Sequence, residues 1–291
     1  MFIKLLVAAI AALSTLAVAA PDAIFCNGHV ELCDRRYSNL TFIGAHDSPF
    51  VGDDMADNQN ITISEQLAMG VRFLQGQTHD KEGTIEMCHT NCDMRDAGSL
   101  EEMLVLIKTF LDANPTEIIT LLLTNPDAFT GSDFDAVFKS VGLDAYAFAP
   151  ERKLEADQWP TLREMIDKGR RLVVFMDYLV HDPVHYIIDE FNKTIIYASL
   201  LDLSYCSINR PAGAGPDDGM LLMNHWLQAN LSGILIPDRC MAIVTNSQEY
   251  IKRHVDSCQR TFSKTPTLIL QRANRISTSL FILQDVKTIQ T

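Results

Sequence analysis

Short hydrophobic segments alternate with helix-patterned segments along most of the chain. Apolar runs rich in β-branched residues predict strands at Leu40–Ala45, Val71–Gln75, Thr84–Cys88, Glu117–Thr124, Arg171–Asp177, Gly219–Asn224 and Thr267–Gln271. Residues 118–123, 172–176 and 220–223 are almost continuously hydrophobic. Such runs are typical of parallel strands, because helices cover both faces of a parallel sheet.

Capping motifs mark the starts of helices between these strands. Each has an acceptor side chain followed three residues later by a glutamate: Ser99-x-x-Glu102, Thr161-x-x-Glu164 and Asn246-x-x-Glu249. Alternating strands and helices predict the α/β class, and the number of strands favours a distorted TIM (βα)8-type barrel over a doubly wound sheet. No glycine-rich nucleotide-binding motif follows any of the strands.

The first twenty residues have the pattern of a secretory signal peptide. Lys4 precedes an apolar run from Leu5 to Leu16, and small residues at 17–20 suit signal peptidase. The run is too short to cross a bilayer. We therefore expect residues 1–20 to be removed and residues 21–291 to form a single domain of a secreted, extracellular protein without a stable membrane anchor.

Composition narrows the possible partners. The net charge is −13, and no run rich in lysine and arginine offsets it. This balance argues against nucleic-acid binding and against electrostatic adsorption to anionic lipid. We expect a monomer.

The seven cysteines fit an oxidising compartment. Candidate disulfides are Cys26 with Cys33, Cys88 with Cys92, and Cys206 with Cys258, which leaves Cys240 over; the spacing alone does not determine the connectivity. A zinc site is disfavoured because the repeated CxxC spacing is absent. Asn-x-Ser/Thr sequons predict glycosylation at Asn39, Asn60, Asn192 and Asn230.

Polar residues follow several predicted strands, where the catalytic groups of a barrel lie. His46 and Asp47 follow the first strand, and His89 follows the third. Two histidines at strand ends can act as a base and an acid, because imidazole titrates near neutral pH. Adjacent side chains of an extended chain point to opposite sides, so Asp47 is expected to reach His89 rather than His46.

Three segments resemble, in this order, the secreted fungal PLC-like phosphodiesterases: Thr41–Ser48, Gly70–His79 and Cys88–Cys92. This group is related to the catalytic X domain of phosphatidylinositol-specific phospholipase C. The likeness covers roughly residues 24–266 and is strongest over 41–125. It implies a TIM barrel in which His46 is the general base, His89 is the general acid and Asp47 orients His89. The implied products are diacylglycerol and inositol 1,2-cyclic phosphate.

The sequence departs from this family where the phosphate should bind. Calcium-dependent members carry a Glu-x-Asp pair at the positions of Gln75 and Gln77, and amides are weak replacements for carboxylates around calcium. Bacterial metal-free enzymes have an arginine at the position of Gln77. We therefore expect no metal cofactor, and only neutral or weak donors (Gln75, Gln77 and His79) at the phosphate.

The last predicted strand also departs from the family. It usually ends in an aspartate that orients the first histidine, whereas this chain continues with Gln271 and Arg272, and the likeness stops beyond Thr267. His46 is therefore expected to be poorly oriented, which favours low activity.

Four further residues lie near the expected barrel mouth. Asn125 stands where bacterial relatives carry an acidic inositol ligand, and either a substrate contact or a strand cap would explain it. Asp177 ends an apolar strand, which favours a substrate-binding role because an ionised carboxylate is rarely buried without a partner. Packing is the favoured role of Trp226. Tyr178 is either part of an apolar rim or a core residue, and aromatic residues beside strands usually belong to the core.

Together these features predict a secreted, metal-independent phosphodiesterase that uses His46 and His89 on an inositol phospholipid or a GPI-like glycolipid diester. The alternative is a catalytically impaired barrel that binds a phosphorylated lipid or glycan, which the missing charges at Gln75 and Gln77 would explain. A metal-dependent phosphodiesterase acting on another diester is least favoured, because the acidic pair is absent.

Overall fold

The computed structural model describes residues 24–54, 56–178, 184–190, 195–199, 206–231, 234–237 and 241–272. The predicted signal peptide, Cys240 and the sequon at Asn192 lie outside the described residues. Asn39 and Asn60 are exposed, as glycosylation would require.

Eight parallel strands form one curved sheet at the centre of the fold. They are β1 (Phe42–Ala45), β2 (Phe73–Lys81), β5 (Ile119–Thr124), β6 (Leu172–Asp177), β7 (Ile187–Asp189), β8 (Ile195–Ser199), β10 (Met220–His225) and β13 (Leu268–Gln271). Their order across the sheet is β7-β6-β5-β2-β1-β13-β10-β8, and antiparallel β9 (Ser207–Arg210) lies at the edge. The α/β class and all seven predicted strands are confirmed. Because the strands are parallel, their carboxyl ends share one edge of the sheet.

An antiparallel extension departs from the predicted pattern. β2 continues beyond the predicted end at Gln75 to Lys81 and pairs with β3 (Thr84–Cys88), which in turn pairs with β4 (Asp96–Ser99). The third predicted strand is therefore not part of the parallel sheet. Its hairpin nevertheless carries His89 to the carboxyl ends of β1 and β2. A separate antiparallel pair comprises β11 (Gln228–Leu231) and β12 (Ile234–Pro237).

The helices connect and cover the strands. They are α1 (Ile63–Ala68), α2 (Leu100–Ala113), α3 (Gly131–Val141), α4 (Leu162–Asp167), α5 (Ala242–Thr245) and α6 (Gln248–Phe262). Capping boxes at Ser99 and Thr161 are confirmed, and Thr62 and Thr130 form two more. The predicted cap at Asn246 is wrong. Its side-chain amide instead donates a hydrogen bond to the Arg272 carbonyl, 3.1 Å away, and Ser247 precedes the helix.

Burial on both faces explains the continuous apolar strands. On β5, Leu121 and Leu123 pack in one cluster with Leu104 of α2, whereas Leu122 packs in a second cluster with Phe175 and Leu270. Successive strand residues face opposite sides of the sheet, so the two clusters occupy its two faces. The strands therefore need apolar side chains at almost every position.

Disulfides tie three parts of this fold together. Cys26 is bonded to Cys33, Cys88 to Cys92, and Cys206 to Cys258, so all three candidate pairs are confirmed. The last of these joins the start of β9 to α6 across 52 residues.

A pair of buried histidines joins the end of β10 to α6. The Nδ1 atoms of His225 and His254 lie 2.8 Å apart, and His225 Nε2 lies 2.7 Å from the Thr245 carbonyl oxygen. A carbonyl only accepts, so His225 Nε2 carries a proton and donates it. Burial lowers the pKa of both histidines below the usual 6.5.

Acid is therefore expected to destabilise the protein through this pair. A lowered pKa in the folded state means that the stabilising contribution is complete above pH 6.5 and is lost as pH falls below it, because the unfolded chain binds the extra protons. We expect the free energy of unfolding, measured in urea, to fall by about 3 kcal/mol from pH 7.5 to pH 5.5. His254→Gln should reduce this fall, whereas His185→Gln, at an exposed position, should not. An unchanged fall in His254→Gln would exclude the pair as its source.

Candidate functional site

A cleft of about 410 Å³ opens at the carboxyl ends of the parallel strands. Its polar and aromatic lining comprises His46, Gln75, Gln77, His79, Thr90, Thr124, Asp177, Tyr178, Arg210, Asn224 and Trp226. Five residues predicted from the sequence thus line one cavity, namely His46, Gln75, Gln77, His79 and Asp177. The three β2 residues come together because alternate residues of a strand share a face.

Asp47 lies at the centre of a polar cluster beside this cleft. Its fully buried carboxylate has Oδ2 3.0 Å from His46 Nδ1 and 3.4 Å from His89 Nε2. The side-chain amides of Asn58 and Gln77 donate hydrogen bonds to the same carboxylate at 2.9 to 3.1 Å. One carboxylate therefore contacts both histidines.

The contact between Asp47 and His46 corrects the sequence-based expectation. That expectation assumed an extended chain, but Asp47 has a φ of +50°, in the left-handed region. The turn brings its carboxylate back towards the preceding histidine. Asp47 can thus orient His46. In the family an aspartate on the last strand was expected to do this, whereas here the aspartate lies in the loop after β1.

Neighbouring strands hold the backbone of this turn. The His46 amide donates to the Gln271 carbonyl at 2.8 Å, and the Asp47 amide donates to Gln75 Oε1 at 2.8 Å. Gln59 Nε2 donates to the His46 carbonyl. The last residue of β13 and a side chain of β2 therefore hold the backbone from which His46 projects.

The electrostatics of the cluster favour a neutral His46 beside an ionised Asp47. Burial lowers the pKa of His46 below its usual value, and the opposing attraction of Asp47 offsets this only in part. Burial alone would raise the pKa of Asp47, but the charges of His46, His89 and Arg272 outweigh it and hold that pKa below the usual range. With Asp47 beside Nδ1, the favoured neutral tautomer carries its proton there and leaves Nε2 as a base.

His89 reaches the cluster from the β3 hairpin. The Cys88–Cys92 disulfide closes the loop that carries it, and its ring packs 5.3 Å from that of Phe50. Gln77 links this loop to Asp47, because its Oε1 accepts from the Thr90 amide while its Nε2 donates to Asp47. Both the oxygen and the nitrogen of the Gln77 side-chain amide are therefore hydrogen-bonded within the protein.

Two other predicted residues, Asn125 and His79, differ in where they lie. Asn125 is buried, does not line the cleft, and exchanges two hydrogen bonds with the backbone of Phe129 at 2.9 and 3.0 Å. Asn125 directly follows β5 and caps the loop after it, which agrees with the strand cap that the sequence left open beside a substrate contact. His79 does line the cleft, and its Nδ1 lies 3.1 Å from Asp127 Oδ2.

Sequence reasoning missed Arg210, and it gave only one of the two roles of Trp226. Trp226 packs partly against the core, as expected, and it also lines the cleft, with its ring 4.6 Å from that of His46. Tyr178 is 53% exposed at the cleft, in agreement with a place on an apolar rim. Arg210 approaches from the edge strand β9, a strand that the hydrophobic pattern did not predict. An arginine beside a proline in a loop-like segment was the one signal available.

Arg272 stands where the family aspartate was expected. Its guanidinium lies 4.9 Å from the centre of the Trp226 ring, and its charge contributes to the lowered pKa values of His46 and Asp47. Positive charge from the last strand therefore replaces the expected negative charge beside His46.

The described residues offer neither a metal-binding cluster with free thiolates nor a membrane-spanning helix. Among the described residues, Cys206, His254 and Cys258 are close enough to hold a metal ion, but the two sulfurs are joined in a disulfide and offer no thiolate. No described helix has the length and hydropathy needed to cross a membrane.

Comparison with known proteins identifies relatives over most of the chain. A "PI-PLC X domain-containing protein 1" of Arthroderma benhamiae is 45% identical over 270 residues, covering 89% of this chain and 88% of the relative. An "uncharacterized secreted protein" of the same fungus is 37% identical and covers 84% of this chain, which spans 59% of that relative.

A solved structure and a family model agree with these relatives. The phosphatidylinositol-specific phospholipase C of Listeria monocytogenes superposes with a TM-score of 0.56 at 16% identity, covering 89% of this chain and 96% of that one. This similarity confirms the distorted barrel fold. The PI-PLC X 1 family model matches residues 32–277, past residue 266, where the likeness was expected to end. Because this match covers most of the sequence, the chain belongs to the PI-PLC X family.

Proposed function

We propose that the protein is a secreted, metal-independent phosphodiesterase that cleaves an inositol phospholipid or a GPI-like diester. The observation that carries the proposal is the Asp47 carboxylate, which lies within 3.4 Å of both His46 Nδ1 and His89 Nε2. Two imidazoles that share one carboxylate suit a reaction in which one takes up a proton as the other releases one. The disulfides and the secreted relative support an extracellular location.

In the proposed reaction, Nε2 of neutral His46 takes the proton of the inositol 2-hydroxyl. The freed oxygen attacks phosphorus, the bond from phosphorus to the diacylglycerol oxygen breaks, and protonated His89 supplies the proton to that oxygen. A cyclic phosphodiester and an alcohol result. His46 ends protonated and His89 neutral, so the positive charge stays beside Asp47 throughout.

Binding without cleavage is the second candidate function. It is favoured by one observation, namely that the Gln77 amide is bonded to Asp47 and Thr90, so the position where bacterial relatives carry an arginine supplies no charge. If no other cation lay at the phosphate, the barrel would still bind a phosphorylated lipid or glycan but would cleave it slowly.

Phosphorus NMR of phosphatidylinositol vesicles in EDTA tests these alternatives. We expect a cyclic inositol phosphate signal with the wild type, a loss of at least 100-fold in rate with His46→Ala, and no change with the exposed-site control His185→Ala. A signal that requires added calcium would contradict the metal-independent mechanism. Vesicle binding without any product would favour the second function.

A further inference from the structure

The proposed reaction needs positive charge at the phosphate. A phosphodiester is already anionic, and attack on phosphorus concentrates more negative charge on its nonbridging oxygens. The part of β2 that pairs with β5 offers the amides of Gln75 and Gln77, and both hold the Asp47 turn. Within the described part of the chain, Arg210 is the one lysine or arginine that lines the cleft.

Two residues that line the same cleft hold the guanidinium of Arg210. Nη2 lies 3.3 Å from Asp177 Oδ2 and 3.4 Å from the Tyr178 hydroxyl. The Asp177 side chain is only 4% exposed, whereas that of Arg210 is 41% exposed. A buried carboxylate thus anchors an arginine that remains accessible from the cleft.

Arg272 is the other arginine near the histidines, and its surroundings differ. It packs over the Trp226 ring and does not line the cleft. Its charge acts on Asp47 and His46, as their pKa shifts record. Arg272 therefore tunes the histidine cluster, and Arg210 is the cation that a bound phosphate can contact.

We propose that Arg210 binds the nonbridging oxygens of the phosphodiester and supplies the positive charge that neither Gln75 nor Gln77 can supply. Asp177 is the positioning residue that holds the guanidinium at the cleft wall. The planar fork of N–H donors suits two phosphate oxygens at once. This assignment deepens the proposed function and rests on it.

Binding measurements without turnover test the assignment directly. Isothermal titration with inorganic phosphate and, separately, with neutral myo-inositol would compare the wild type with Arg210→Met and Arg210→Lys. We expect Arg210→Met to bind phosphate at least tenfold more weakly and to bind myo-inositol unchanged, with Arg210→Lys intermediate. Arg163→Met is the matched control, since Arg163 also pairs with one aspartate and is similarly exposed, but lies outside the cleft.

Two results would overturn the assignment. One is that Arg210→Met and the wild type bind phosphate with equal affinity, or that neither protein binds it. The other is an equal loss of phosphate and myo-inositol binding, which would indicate a general disturbance of the cleft. Matching thermal unfolding of all variants would show that the fold is retained.

Kinetics separate this assignment from the proposed function. On phosphatidylinositol we expect Arg210→Met to lower kcat by about 100-fold with a smaller change in KM, because charge stabilisation acts mainly on the transition state. If the wild type fails to cleave this lipid but binds phosphate through Arg210, the proposed function fails and the charge assignment stands. An unchanged kcat in Arg210→Met would reject the assignment alone.

Discussion

Replacing Asp47 with asparagine is expected to lower kcat on phosphatidylinositol by about 10⁴-fold, the scale on which catalysis falls when a carboxylate that orients a catalytic histidine is lost. The carboxylate contacts both imidazoles, at 3.0 and 3.4 Å. An asparagine would keep the volume and remove the charge, so a protonated His46 or His89 would lose its stabilising partner. The asparagine amide can also donate or accept a hydrogen bond, so it would tolerate either tautomer of His46. The proton would then no longer be held at Nδ1, and Nε2 would not always be available as the base.

A matched substitution separates this effect from a general loss of stability. Asp135 on α3 likewise accepts hydrogen bonds from two side chains, Lys139 and Tyr186, and does not line the cleft. Asp135→Asn should keep its kcat within a factor of about two, since this partly buried side chain lies outside the cleft and contacts neither catalytic histidine. If Asp47→Asn retained a tenth or more of the wild-type kcat, the shared carboxylate would not be central to catalysis.

Removing the disulfide between Cys206 and Cys258 is expected to lower the free energy of unfolding by about 4 kcal/mol. The bond links residues 52 apart, so breaking it releases a long loop in the unfolded chain. Both cysteines are also buried in an apolar cluster with Leu221 and Met223 of β10. Urea unfolding of the double variant Cys206→Ala, Cys258→Ala would measure the loss.

The disulfide between Cys26 and Cys33 supplies the comparison. Its cysteines are equally buried, but they are only 7 residues apart, so the same double replacement by alanine should cost about 2 kcal/mol through the loop. Equal losses in the two double variants would show that cavity formation, and not loop closure, dominates both.

Hydrophobic pattern and local chemistry made much of this fold predictable. The buried strands needed apolar residues on both faces, and this requirement is visible in runs such as residues 118–123. The caps at Ser99 and Thr161 are interactions between residues three apart, so they too can be read from the chain. The cap at Asn246 failed because the helix begins after Ser247, and the Asn246 amide bonds to a carbonyl 26 residues away.

Several residues of the candidate site were predictable from the sequence, but the contacts between them were not. His46, Asp47 and His89 stand out because they follow apolar strands and match a family motif. Arg210 does not, because it comes from a short edge strand whose register depends on β8. Gln77 was expected to face the phosphate, yet its amide is bonded to Asp47 and Thr90.

The sequence by itself determined the α/β class, the main strands and the identity of the two histidines, since each depends on periodicity or on residues close together in the chain. Only the tertiary structure decided which groups those histidines contact. The left-handed turn at Asp47, the hairpin that carries His89 and the approach of Arg210 from the sheet edge all depend on chain segments distant in sequence. The physical reason is that a hydrogen bond or an ion pair acts over about 3 Å, and folding alone brings such distant residues within that range.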